Sequence, residues 1–187
     1  MDFSMFTSTA LQWIIAVLLI GYVAYSSYRS IQVYLKYKKE AQAFKDNHKN
    51  CEVYSFHMYM VYVMLVLTVL CLVLAFITGS ALKTPKDQLF YYRLAYAGLA
   101  IVFFGQFFES CARRKIIFSE DGLFYVDQFY RFRMITAYEE KQGSISRQSR
   151  VRIGSEELVL PHGMAVEIQN REKTWKANKK AAKKARK

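Results

Sequence analysis

Residues 109 to 126 read ESCARRKIIFSEDGLFYV, and this stretch divides the chain into two kinds of sequence. Before it run long aliphatic and aromatic segments. After it, apolar residues come in short pieces separated by turn residues and charges. Within it, Ile116-Ile117-Phe118, then Ser119-Glu120-Asp121-Gly122, then Leu123-Phe124-Tyr125-Val126 read as two short strands joined by a hairpin turn. Asp121-Gly122 is expected to supply the positive-φ position that such a turn needs.

Moving toward the C-terminus, the run FYRFRMITAY alternates Tyr130, Phe132 and Met134 on one face with Arg131 and Arg133 on the other, the period of a half-buried strand. Gln142-Gly143-Ser144 breaks it. SRVRI alternates again, Val151 and Ile153 against Arg150 and Arg152, and Gly154-Ser155 leads into a further strand, ELVL. Pro161-His162-Gly163 then opens a helix with Met164, Ile168 and Trp175 on one side. The pattern predicts five short strands and one helix over residues 113–176, followed by a basic tail, residues 177–187.

Moving toward the N-terminus, residues 89–110 form an apolar segment whose uncharged part, Leu94 to Phe108, spans only about 22 Å as a helix. Arg93 must then snorkel toward headgroups, where its cost falls below the roughly 3 kcal/mol of a mid-membrane arginine. Residues 56–78 are longer and richer in Val and Leu. Residues 10–28 carry no charge and match the bilayer's hydrocarbon thickness; lacking a basic n-region, they read as a span and not as a cleavable signal. Three transmembrane helices therefore make a membrane domain, residues 1–112, with a cytoplasmic loop at 29–55. In that loop Ile31, Tyr34, Leu35 and Ala41 recur at near-helical spacing, so the first helix is expected to continue beyond the membrane or to bend onto its surface.

The chain has 187 residues and a net charge of +12, too short for a large multidomain enzyme. Its 27 Lys and Arg residues fall mainly after Ala112 and in the 29–55 loop. The positive-inside rule then predicts an N-terminus outside and a C-terminus in the cytoplasm. Three cysteines, an odd number, imply no disulfide framework.

Several residue groups carry candidate chemistry. If the two arginine-bearing strands lay side by side, Arg131, Arg133, Arg150 and Arg152 would set four guanidinium forks on one sheet face, suited to phosphate or carboxylate. In the tail, Lys179, Lys180, Lys183 and Lys184 surround a weakly apolar stripe of Ala177, Ala181 and Ala185, a pattern for adhesion to anionic lipid or to ribosomal RNA phosphates. No nucleic-acid motif suggests base-specific recognition. His48, Cys51 and His57 are metal-ligand types, but at a spacing that matches no standard site. Arg93, Gln106 and Glu109 are the intramembrane polar residues; Glu109 and Arg113 have the spacing of an intrahelical pair. Catalytic residues and cofactors are not expected, because a Cys-His hydrolase would need an orienting carboxylate or amide and an oxyanion site, and nothing at Cys51, Cys71 or Cys111 supplies them.

Three spans followed by RKIIFSEDGLFYVDQFYRFRMITAYEE resemble the YobD-like family of small bacterial inner-membrane proteins, on Lys115, Ile116, Ile117, Phe118, Gly122, Phe124 and Ile135. The second half is also similar to bacterial PH-like, YcxB-like modules. The resemblance implies a bacterial membrane protein with a small α+β PH-like cytoplasmic domain. Its members have no agreed biochemical activity, and the Lys-rich tail extends past the pattern. Together these readings predict a non-enzymatic accessory or regulatory protein whose module binds a protein partner, a second copy or anionic lipid. A small transporter with Arg93, Gln106 and Glu109 along its path is one alternative, and a ribosome or translocon tether acting through the tail is another.

Overall fold

The computed structural model describes residues 3–48, 50–79, 86–141 and 147–185. Among these residues the chain forms four α-helices and seven strands. Helix α1 (Phe3–Asn47), α2 (Tyr59–Ile77) and α3 (Lys86–Arg113) are each long and apolar enough to cross a membrane. The chain divides into two compact units, Met1–Lys36 with His57–Ala112, and Tyr37–Phe56 with Arg113–Lys187. Helix α1 is a single α-helix of 45 residues, so the helix continues past the uncharged segment 10–28. Residues 37–56, grouped by the sequence reading with the membrane domain, belong to the second unit.

In the first unit, large apolar side chains face outward: Leu18 is 67% exposed and Phe76 80%. That suits a surface solvated by lipid tails, where burial between helices brings no hydrophobic gain and small residues set the contacts instead. Ser27, Ser30, Thr68 and Cys71 are among the buried residues. A Cβ on Gly105 would lie 2.9 Å from Ser27 Cα, so only glycine admits this approach of α3 to α1. Ser27 Oγ donates to the Ile101 carbonyl at 2.7 Å, and Ser30 Oγ donates to Glu109 Oε2 at 3.1 Å.

The second unit holds two antiparallel sheets. One has four strands in sequential order: β1 (Glu52–Ser55), β2 (Lys115–Phe118), β3 (Gly122–Tyr125) and β4 (Gln128–Arg131). The other has three, also sequential: β5 (Ile135–Lys141), β6 (Gln148–Ile153) and β7 (Glu156–Pro161). Helix α4 (His162–Ala185) follows and inserts Met164, Ala165 and Ile168 into a core with Ile116, Leu123 and Val151. The five strands read from the sequence are thus seven. β1 was missed, and the run from Phe129 is not one strand: a 3-10 turn, Phe132–Met134, separates β4 from β5. Phe132 N donates to the Asp121 carbonyl at 3.1 Å and its ring is buried in the core, which redirects the chain from one sheet to the other. The expected break at Gln142-Gly143-Ser144 lies outside the described residues.

The β2–β3 hairpin is buried on both faces. Ile116, Phe118, Leu123 and Tyr125 point into the core; Ile117 and Phe124 point away from it, yet are equally buried. The end of α1, where Tyr37, Ala41 and Phe44 are buried at helical spacing, covers Phe124. Phe44 stacks on Phe124 with ring centroids 5.2 Å apart, and Tyr37 does so at 6.4 Å.

The turn chemistry also differs from expectation. Gly122 does not adopt positive φ. It is required because a Cβ there would run into the Tyr130 carbonyl and lie 3.0 Å from Arg131 Cα on the neighbouring strand. Among the hairpin turns, positive φ occurs at Gly154 (φ 60), in the two-residue turn between β6 and β7, and at Val126 (φ 57) between β3 and β4; Asn50 and His57, on either side of β1, adopt it as well. For a β-branched residue such as Val126 that conformation is strained.

Candidate functional site

The four-arginine face does not form. Arg131 ends β4 in the four-stranded sheet, Arg133 sits in the 3-10 turn, and Arg150 and Arg152 lie on β6 in the other sheet. The last two are already engaged across strands. Arg152 Nη2 bonds Glu157 Oε1 at 2.9 Å and approaches Glu139 Oε1 at 3.5 Å, and Arg150 lies 3.7 Å from Glu157. These carboxylates hold the Arg152 guanidinium pKa above its ordinary value, the Glu157 hydrogen bond first among the causes. Such exposed pairs stabilise a strand register only weakly.

Arg131 and Arg133 instead meet Lys179 of α4 in a cleft of about 490 Å³ within the second unit. Trp175 and Phe129 provide aromatic walls, and His48 and Ser119 also line it. The β2–β3 turn contributes Glu120 and Asp121. Each element has a local reason to be there. The 3-10 turn buries Phe132 and leaves the arginines on either side of it exposed. Helix α4 is anchored by Met164 and Ile168, and Trp175 continues that stripe onto Phe132, the ring centroids 6.0 Å apart. Lys179, one turn later, rests over the Trp175 ring at 4.9 Å.

Around this cleft, α4 is clamped to the first sheet. Arg171 bonds Glu167 Oε1 at 2.9 Å and Glu52 Oε2 of β1 at 2.5 Å, and its guanidinium lies over the Phe118 ring. The hydrogen bond and charge of Arg171 hold the Glu52 carboxyl below its ordinary range. On the far side, Glu172 is buried; it accepts from Tyr138 Oη at 2.9 Å and pairs with Lys176 Nζ at 2.5 Å. Burial first, then that bond, push the Tyr138 phenol above its ordinary range.

Of the other tail lysines, Lys180, Lys183 and Lys184 are exposed on α4, which reaches Ala185. The metal-type residues do not gather: among the described residues no three His, Cys, Asp or Glu side chains form a ligand cluster. His48 stacks on Phe44, Cys51 Sγ donates to the His48 carbonyl at 3.4 Å, and His57 Nδ1 lies 3.1 Å from Tyr59 Oη. All three cysteines are free thiols. In the first unit, Gln106 lines a pocket of about 200 Å³ with Ser26, Ser27 and Ser30, and Glu109 accepts from Ser30. Arg93 stands apart from them, with Nη2 3.2 Å from where a Gly79 Cβ would lie.

A serine–histidine contact went unread in the sequence: Ser149 Oγ lies 2.9 Å from His162 Nδ1, and Glu140 lies 3.9 Å from the same nitrogen. A relay needs base and acid on opposite ring nitrogens, so this arrangement ties β6 to the start of α4 and lacks a triad's geometry.

No known family, curated protein or solved structure matches the chain.

Proposed function

We propose that this is a non-enzymatic accessory or regulatory protein of the bacterial inner membrane. Its basic PH-like module lies on the cytoplasmic side and adheres to anionic lipid or to a partner protein. The sheets followed by one capping helix support the PH-like reading, and the resemblance to the YobD-like family supports the bacterial setting. The charge distribution supports an orientation with the N-terminus outside.

The observation that carries the adhesive role is the last stretch of α4. Lys180, Lys183 and Lys184 project from it, exposed and with no ion pair among the described residues. Each basic residue near an anionic surface is worth about 1 kcal/mol. Full-length protein in neutral-lipid nanodiscs should capture vesicles containing anionic lipid and leave neutral vesicles unbound. Raising salt from about 0.1 M to 1 M should release them, as the screening length falls from about 10 Å to 3 Å. The combined variant Lys180→Gln, Lys183→Gln and Lys184→Gln should lose most of the capture. Equal capture of neutral vesicles, or no effect of that variant, would overturn lipid adhesion and favour a protein partner.

A further inference from the structure

The cleft beside the tail holds charges of both signs that do not neutralise one another. Arg131, Arg133 and Lys179 line it together with Glu120 and Asp121, yet among the described residues no ion pair within 4.0 Å joins any of them. Opposite charges free to rotate on a surface normally approach one another; here one of each sign is held elsewhere. Lys179 is drawn onto the Trp175 ring, and Glu120 Oε1 accepts from Asn50 Nδ2 at 2.9 Å. The Asp121 backbone is fixed by its carbonyl's bond to Phe132 N at 3.1 Å. A purely anionic ligand would meet two carboxylates in this cleft, and a purely cationic one would meet three cations. A ligand carrying both signs satisfies every group.

We propose that this cleft binds a phosphate–ammonium zwitterion of the phosphoethanolamine type, with the phosphate on Arg131, Arg133 and Lys179 and the primary ammonium on Glu120 and Asp121. Two guanidinium forks suit phosphate oxygens better than a single carboxylate. A primary ammonium offers three donors to the two acidic side chains, and the Trp175 ring gives a wall against which the methylenes between the two charges can lie. The cleft volume of about 490 Å³ falls within the range of small-molecule sites. This inference rests on the adhesive reading only in placing the module near lipid. The tail supplies general attraction to negative surface; the cleft supplies selection of a headgroup.

The test uses full-length protein in maltoside detergent, free of added lipid. Trp13→Phe leaves Trp175 as the only tryptophan, since the chain has two, and its emission reports the cleft. Glycerophosphoethanolamine should bind about tenfold more tightly than glycerophosphate, the ratio given by one charge-assisted hydrogen bond. Glu120→Gln with Asp121→Asn should abolish that preference while glycerophosphate still binds. Arg131→Gln with Arg133→Gln should abolish both, with unchanged circular dichroism showing that the fold survives. Two probes distinguish the sources of the ligand: if O-phosphoethanolamine, a monoester, binds more tightly than the glycerol diester, the natural ligand is a soluble metabolite, and the reverse order assigns a lipid headgroup. Equal or tighter binding of glycerophosphate by the wild type, or a preference that survives loss of both carboxylates, overturns the proposal. The triple tail variant should titrate normally here, so failure of vesicle capture and failure of the cleft are separate results.

Discussion

The two sheets of the second unit solve burial in opposite ways. Strand β6 alternates: Ser149, Val151 and Ile153 are buried, while Arg150 and Arg152 stand outside and are held by glutamates on the flanking strands. The β2–β3 hairpin does not alternate: Ile117 and Phe124 on its second face are buried too, and Phe124 is roofed by Tyr37 and Phe44 from a helix far away in sequence. A strand with one face in the core carries its instructions locally. A strand buried on both faces depends on a partner that its own sequence does not name.

Removing the roof should have the largest effect. A fragment beginning at Arg113 keeps the second sheet and α4 but lacks β1 and the end of α1. We expect it to lose cooperative unfolding altogether, where a chain beginning near Tyr37 with the two spans replaced by a soluble linker retains it; amide exchange reads the difference. A cooperative Arg113 fragment would show that the roof is dispensable.

Phe124→Ala comes next. It should cost about 3–5 kcal/mol, the range for truncating a buried phenylalanine, read as a fall in the unfolding midpoint of the full-length protein in detergent. A loss of about 1 kcal/mol would mean that the α1 face is loosely packed.

Tyr138→Phe should cost about 1–3 kcal/mol by leaving the buried Glu172 with one fewer donor. The folded phenol titrates above the unfolded one, so its contribution is fully present below the ordinary tyrosine value near 10 and is lost as pH rises toward the folded value. The variant should therefore show a shallower alkaline decline than wild type. Identical declines would remove Tyr138 from the account.

Smallest of all, Arg152→Gln should leave the unfolding midpoint unchanged within error. The ladder of cross-strand pairs is exposed. A large shift would mean that the second sheet's register depends on those charges.

Legibility in the sequence follows the same division. Val151 and Ile153 against Arg150 and Arg152 declare β6 from within six residues, and Met164, Ile168 and Trp175 declare the buried face of α4. The three spans are legible because lipid demands unbroken apolar length. Strand β1 was not legible: Glu52–Ser55 is four residues long and its partner β2 lies beyond two helices. The 3-10 turn at Phe132–Met134 hid within an alternation that a strand and a tight turn can both produce. One overlooked signal was available. Ile117 and Phe124 leave a hairpin with two apolar faces, and Tyr37, Ala41 and Phe44 extend an apolar stripe past the end of a span. The cleft brings Glu120 and Asp121 of one turn beside Lys179 of the tail, a convergence only the packing of α4 creates.

The register of β1 on β2 has a consequence for how the protein is made. Ser55 pairs with Lys115, and α2 and α3 both lie between them in the chain. A chain emerging from the ribosome at about 5–20 residues per second has its first strand ready several seconds before the second exists. Helices α2 and α3, each long and apolar enough to cross a membrane, are made in that interval. Where both helices cross a bilayer, the four-stranded sheet can close only on a chain whose two strands are left on the same side, and a molecule in which one of α2 and α3 has inserted without the other leaves β1 and β2 apart.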